Sequence, residues 1–245
     1  MKLNADLGES FGHWQQMADA EVMPYIDQAN LACGYHAGDA RTMQMSLALA
    51  KNHGVEIGAH PSYPDLQGFG RRSMRIPQDE LMAMIHAQIA TLEGMAKCQG
   101  LVLNYVKPHG ALYNDMMRDI EIFEDLAFAV SQYHKLYPLM IQALADNSLQ
   151  QTIASKYGIG LMYEAFADRQ YKADGSLLSR QQKGAVLDAD ASVLQAKTLI
   201  EKGIVVSDIG TPIPLQADSI CVHGDNPQAL NAVKEIRVLI DSQAR

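Results

Sequence analysis

Short apolar stretches recur along the chain, and each ends in polar or charged residues. They read KLNADLGE at 2–9, QANLACGYHAGD at 28–39, VEIGAHPSYPD at 55–65, LVLNYVKPHG at 101–110, PLMIQALAD at 138–146, IGLMYEAFADR at 159–169 and SICVHGD at 219–225. Nearly continuous apolar runs of this length are expected of strands covered on both faces. Between them lie helical patterns at 39–53, 77–99, 188–202 and 227–242. The first opens at Asp39 as N-cap. The second opens with Pro77, carries Asp79 and Glu80 in its first turn, and repeats Leu81, Ile85, Ile89, Leu92 and Ala96 on one face. Glycines 54, 100 and 158 stand where a helix must stop.

Strand and helix therefore alternate, so the strands should run parallel with helices outside them. The pattern predicts a single α/β domain over 1–245, an irregular (β/α) barrel of about seven parallel strands, with an open doubly wound sheet as the alternative. Residues 204–215 fit either an eighth strand or a hairpin. Two polar stretches, 61–76 and 167–187, interrupt the repeat as long loops, and loops of that length are often functional.

Composition narrows the function classes. The 245 residues are 48% hydrophobic and 20% charged, with 20 basic against 28 acidic side chains and a net charge of −8. A sizeable core is available, and an acidic surface argues against nucleic-acid binding. No apolar run reaches the ~18–20 residues that span a bilayer. The start carries acidic residues at once and lacks the apolar centre of a signal peptide. Three cysteines, Cys33, Cys98 and Cys221, form no CxxC pair. These features predict a soluble cytoplasmic protein with no membrane partner. Cys33 and Cys221, in or beside apolar runs, read as buried packing residues.

Parallel α/β folds place their sites at the carboxyl ends of the strands. Those ends carry Asn4, Asp6 and Glu9; His36 and Asp39; His60, Asp65, Arg71 and Arg72; Lys107, His109, Tyr113 and Asn114; Gln142 and Asp146; Glu164, Asp168 and Arg169; and His223 and Asp225. A histidine there often does no more than satisfy backbone groups. Four of the eight histidines (His36, His60, His109 and His223) occupy the same place in the repeat, however, and a barrel would bring them together. Asp39, Asp146 and Asp225 each precede a helix, where N-capping is the simpler role. Arg71 and Arg72 sit adjacent in a glycine-rich loop, which suits carboxylate or phosphate. Lys107 ends an apolar strand and needs a partner such as Asp6. P-loop, nucleophile-elbow and dinucleotide motifs are absent.

This set allows two chemistries. One is metal-assisted hydrolysis, with Asp6, His36 and His60 as ligands. The other is metal-free: carboxylate and imidazole move protons while lysine and arginine stabilise anions. Spacing does not choose between them.

Six segments resemble the LamB/YcsF family, whose members form one component, called A, of the prokaryotic ATP-dependent 5-oxoprolinase. They are NADLGESFG at 4–12, ANLACGYHAGD at 29–39, GAHPSYPDLQGFGRR at 58–72, VKPHGALYN at 106–114, EAFADRQY at 164–171 and ICVHGDNP at 220–227. Together they span nearly the whole chain in order. Tyr35, where the family leads one to expect phenylalanine, and Ala40, where proline is expected, lie outside the polar set. The resemblance implies a barrel similar to the glycoside hydrolase/deacetylase barrels. It also implies hydrolysis of 5-oxo-L-proline (pyroglutamate) to L-glutamate, with ATP as co-substrate, Mg²⁺ accompanying it, and 5-oxoprolinase subunits B and C as partners.

On that reading, Asp6, His60, Lys107, His109, Glu164 and His223 are the expected catalytic residues. Asn4, His36, Arg71, Arg72, Tyr113, Asp168, Arg169 and Asp225 would contact substrate or phosphate. Two readings compete with it: a stand-alone metal-dependent amidohydrolase or deacetylase, and a non-catalytic component that only captures substrate.

Overall fold

Each of the seven apolar runs forms a strand. A computed structural model describes residues 1–14, 19–180, 182–223 and 227–243. The strands are β1 (Lys2–Leu7), β2 (Gln28–Ala32), β3 (Glu56–His60), β4 (Leu103–Val106), β5 (Leu139–Gln142), β6 (Leu161–Phe166) and β9 (Ser219–Val222). All pair in parallel, in the order β1-β2-β3-β4-β5-β6-β9, and β9 returns to β1 to close the barrel. The chain between β6 and β9 also holds β7 (Ile204–Val206) and β8 (Pro212–Pro214), which form a separate antiparallel hairpin. Residues 204–215 are thus a hairpin and not an eighth barrel strand.

The expected helices are α2 (Ala40–His53), α3 (Gln78–Cys98), α7 (Ala189–Lys202) and α8 (Pro227–Gln243). Asp39 caps α2 by accepting from the Thr42 N–H at 2.8 Å, and Gly54 ends it in the left-handed region at φ 68°. Asp188 caps α7 in the same way through Ala191. The chain also forms α1 (Asp19–Val22), α4 (Gly110–Arg118), α5 (Ile120–Ser131) and α6 (Ser148–Lys156). α4 begins directly after His109, so the strand-end loop is very short there. Among the described residues, no helix is long and apolar enough to cross a membrane.

Strand parity divides the buried side chains of β1. Leu3, Ala5 and Leu7 join the apolar core, whereas Asn4 and Asp6 lie on the opposite face. That inner face is polar and linked across the barrel. Asn30 donates to Asn4 and Asp6 at 2.9 and 2.8 Å, and the Tyr105 hydroxyl donates to Asn30 at 2.6 Å. Gly58 faces the Tyr105 ring and has no room for a Cβ, which would overlap that ring.

Outside the barrel, α3 is tied to the segment after α5 by Glu93. Its carboxylate accepts from the Tyr133 and Tyr137 hydroxyls, both at 2.9 Å, and pairs with His134 at 2.8 Å and Lys97 at 3.1 Å. Burial pushes this carboxyl up, but the four donors outweigh it and hold it down at about 2, against an ordinary 4.5. A carboxyl depressed on folding stabilises above its unfolded value, and that stability is lost as pH falls toward the folded value. Glu93→Gln should therefore cost about 2 kcal/mol at neutral pH, and the deficit should shrink as pH approaches about 2. Urea denaturation at both pH values checks this. A deficit that does not change with pH would mean that the charge contributes nothing.

Candidate active site at the carboxyl rim of the barrel

The strand ends converge on one mouth. A cleft there is lined by Asp6, Glu9, His60, Arg71, Lys107, His109, Tyr113, Phe166, Arg169, Arg180 and His223, among others. These residues come from separate strands and from the loops that follow them.

Lys107 is the centre of the arrangement. It is 2% exposed, and its ammonium lies 2.8 Å from Asp6 Oδ1 and 3.0 Å from Glu164 Oε2. Asn4 Oδ1 and Cys221 Sγ each stand 3.4 Å away. Burial alone would lower the Lys107 pKa; Asp6, Cys221 and Glu164 reverse this and raise it well above its ordinary value. The lysine is therefore a fixed cation. Cys221 is buried as expected, but it touches the charged set. Burial pushes its thiol up, so it is not a nucleophile.

Asp6 connects the two sides of the mouth. One oxygen accepts from Lys107 and Asn30. The other faces His60 Nε2 at 3.4 Å and His223 Nε2 at 3.8 Å. Burial raises the carboxyl, but His60, Lys107 and His223 outweigh this and hold it well below the usual range. On the far side, His223 Nδ1 lies 2.7 Å from Asp168 Oδ2. Burial works against the charged ring, yet Asp168 and Asp6 push its pKa up to about 10, so it is an imidazolium at neutral pH. Burial would raise Asp168, and His223 in turn holds it down. Arg180 lies 3.4 Å from His223 and Arg169 is buried nearby, which adds positive charge to the rim.

His36, His60, His109 and Glu9 form a second group beside Asp6. His36 and His109 stack face to face at 3.7 Å, and Phe69 stands edge-on to both. Burial, with His109 alongside, lowers His36 to about 3, and burial also lowers His109. Burial raises Glu9, but His109 and His36 beside it outweigh this and hold it far below its ordinary value. Gly70 makes this packing possible. With φ at 64°, its backbone would place a Cβ 2.8 Å from His109 Cδ2 and 2.9 Å from His36 Cβ.

The expected residues thus fall into four groups. Asn4, Asp6, His36, His60, Arg71, Lys107, His109, Tyr113, Glu164, Asp168, Arg169 and His223 lie at the rim or just beneath it. The buried Tyr113 phenol is pushed up by burial and by the Glu164 carboxylate. Arg72 departs from expectation. It pairs with the buried Asp65, leaving its side chain 63% exposed, because Asp65 also accepts from the Gly68 N–H and shapes the turn beneath it. Asp225 lies outside the described residues. Asp146 accepts from Ser148 N–H, and Gln142 donates to the Gly175 carbonyl, so both serve local structure.

Among the described residues, the ligand atoms close enough to share a metal ion divide the expected trio of Asp6, His36 and His60 between two groups: Asp6 goes with Cys221 and His223, while His36 and His60 go with Glu9 and His109. Glu9, His36, His60 and His109 each offer one atom, all within 4.8 Å of one another, while Lys107 and Asn30 occupy one oxygen of Asp6. Asn30 and Tyr105 belong to the polar lining without standing out in the sequence. A polar residue inside an apolar strand is the only signal for Asn30.

Known proteins share this architecture in detail. The model of the LamB/YcsF family matches residues 1–245. A Pseudomonas putida protein, named as the second A component of 5-oxoprolinase, is 50% identical over 240 residues, covering 98% of this chain and 93% of its own length. A Vibrio cholerae protein, named as the A component of 5-oxoprolinase, is 48% identical over 242 residues, with 98% of each chain covered. The crystal structure of a lactam utilization protein from Thermus thermophilus superposes with a TM-score of 0.90 at 36% identity, covering 100% of this chain and 97% of the other. A match that runs from the first residue to the last, over the same closed barrel, leaves one assignment: the chain belongs to the LamB/YcsF family.

Proposed function

We propose that this chain carries the ring-opening chemistry of an ATP-dependent 5-oxoprolinase, as the A component working with subunits B and C. The observation that carries the reading is the buried Lys107 ammonium, held between Asp6 and Glu164 at the floor of the mouth, with the His223 imidazolium across from it. The close relatives named for 5-oxoprolinase support the substrate.

A lactam amide is a poor electrophile because its nitrogen donates into the carbonyl. Transfer of the terminal phosphoryl group from ATP to the carbonyl oxygen releases ADP and gives an O-phosphorylated imidate, a better electrophile. One water attacks the ring carbon, the C–N bond breaks to leave an acyl phosphate, and a second water releases phosphate from it. Three tasks remain for the protein. Lys107 faces the negative charge of the transferred phosphoryl group. The free oxygen of Asp6 orients the attacking water and takes its proton. His223, kept protonated by Asp168, delivers a proton to the departing ring nitrogen. Arg71, Arg169 and Arg180, at the edge of the cleft, suit the substrate carboxylate or the phosphate. The products balance as L-glutamate, ADP and phosphate from 5-oxo-L-proline, ATP and two waters.

The test is glutamate release from 5-oxo-L-proline, measured with the chain alone and with the two partner proteins added. ATP-dependent release only in the assembled mixture is expected. Release by the chain alone without ATP would overturn the reading in favour of a stand-alone amidohydrolase.

A further inference from the structure

The meeting of His60, His109 and Glu9 is not used by the chemistry above, and its hydrogen count does not close. His60 Nδ1 lies 2.7 Å from the Lys107 carbonyl oxygen, and His109 Nε2 lies 2.9 Å from the Phe69 carbonyl oxygen. A carbonyl oxygen only accepts, so both of these nitrogens carry hydrogen. The opposite nitrogens, His60 Nε2 and His109 Nδ1, are 3.0 Å apart, and Glu9 Oε1 is 3.2 Å from His109 Nδ1. With neutral rings, three lone-pair atoms face one another in a buried space. One proton shared between the rings would satisfy the ring–ring contact and leave the carboxylate contact to compete for it. A metal ion satisfies all three atoms at once.

We propose that Glu9, His60 and His109 hold a divalent first-row transition-metal ion, with Zn²⁺ as the best chemical match. Ligand atoms about 2.0–2.2 Å from one ion lie roughly 3.0–3.5 Å apart at angles from 90° to tetrahedral. The contacts of 3.0 and 3.2 Å are of that size. Both ligand rings donate their other N–H to a backbone carbonyl, the outer-shell arrangement that fixes a ligating tautomer. His36 has a different part. Its ring is stacked parallel to His109, so both rings cannot point in-plane at one ion, and its Nε2–H instead donates to Glu9 at 3.2 Å. Two histidines and one carboxylate leave an open position on the ion. Asp6 Oδ2, 3.4 Å from His60 Nε2, would border that position, which would suit a water or a carbonyl oxygen.

This proposal does not depend on the lactam reading, because binding is measured without turnover. The full-length chain is stripped with chelator, then titrated with Zn²⁺ and with Mn²⁺ by calorimetry, and metal content is measured after dialysis. One Zn²⁺ per chain is expected, with a thermal midpoint that rises on binding. His60→Gln and His109→Gln should each weaken binding by more than about 100-fold, beyond the 10–100-fold cost of losing an outer-shell partner. His36→Gln should fall within that smaller range. His53→Ala, on the exposed end of α2, should bind as the wild type does. Circular dichroism shows that each variant is folded. Co²⁺ loaded into the wild type should give the visible bands of a low-symmetry nitrogen and oxygen site. Absence of stoichiometric binding, or binding that survives the His60→Gln/His109→Gln double variant, overturns the proposal and leaves a shared proton as the cation. A chain that binds one Zn²⁺ yet adds nothing to glutamate release would sink the functional reading alone.

Discussion

Replacing Lys107 with methionine is expected to abolish ring opening and to destabilise the barrel together. The ammonium is 2% exposed and stands between two carboxylates, one of them, Glu164, fully buried. Methionine fills a similar volume but leaves both carboxylates facing each other without a cation. Breaking a buried pair from one side costs about 3–5 kcal/mol, far more than the net worth of the pair itself. Turnover should fall by roughly 10²–10³ or more, the usual cost of losing a charge aimed at an anionic group in the transition state. The two effects separate in the Lys107→Met/Glu164→Gln double variant. It removes one unpaired carboxylate and should recover part of the stability, but none of the activity. Denaturation midpoints and glutamate release by the assembled complex measure both. A Lys107→Met chain with wild-type midpoint and turnover would refute the central position given to this residue.

Asp6→Asn is expected to produce a folded chain that is nearly inactive. The amide oxygen can still accept from Lys107 and Asn30, as the Asp6 Oδ1 atom does. The amide NH₂ then stands where Oδ2 was, 3.4 Å from His60 Nε2. The hydrogen bonds from Lys107 and Asn30 therefore survive, while the charge and the basicity are lost. A general base contributes about 10²–10⁴ in rate, so kcat should drop by that factor with KM little changed. The wild-type pH profile is a second readout. His223 acts as the acid while it is protonated, so activity should decline as pH rises through about 10. Asp6, held below the ordinary carboxylate range, keeps its charge well into acid. Asp6→Asn turnover close to wild type would mean that water is activated elsewhere.

Much of the fold was legible because the physics is local. Most barrel-strand positions are buried on both sides, so the strands appear as short, largely apolar runs, and helices such as α2 and α7 announce themselves through Asp39 and Asp188 caps and glycine stops. The helices α4 and α6 are only nine residues each, too short to stand out from the loops around them. The polar lining was harder to read for the opposite reason. When both faces of a strand are buried, alternation no longer separates inside from outside, and Asn30 and Tyr105 look like interruptions of a run. Arg72 illustrates a different limit. Two adjacent arginines suggest one anion site, but the turn geometry set by Asp65 takes one of them away.

The sequence by itself determined which residue types stand at the ends of the strands, because strand length and the position of each polar terminus are properties of short segments. It also determined family membership, through motifs that keep their order along the whole chain. Only the tertiary structure decided which of those ends meet. Closure of the barrel brings Asp6 to Lys107, 101 positions apart, and His60 to His109, 49 positions apart. It also fixed the protonation of each group, since a pKa depends on burial and on charges a few ångströms away in space. His36 and His223 are the same amino acid at the same place in the repeat, yet one is driven to about 3 beside another imidazole and the other to about 10 between two carboxylates.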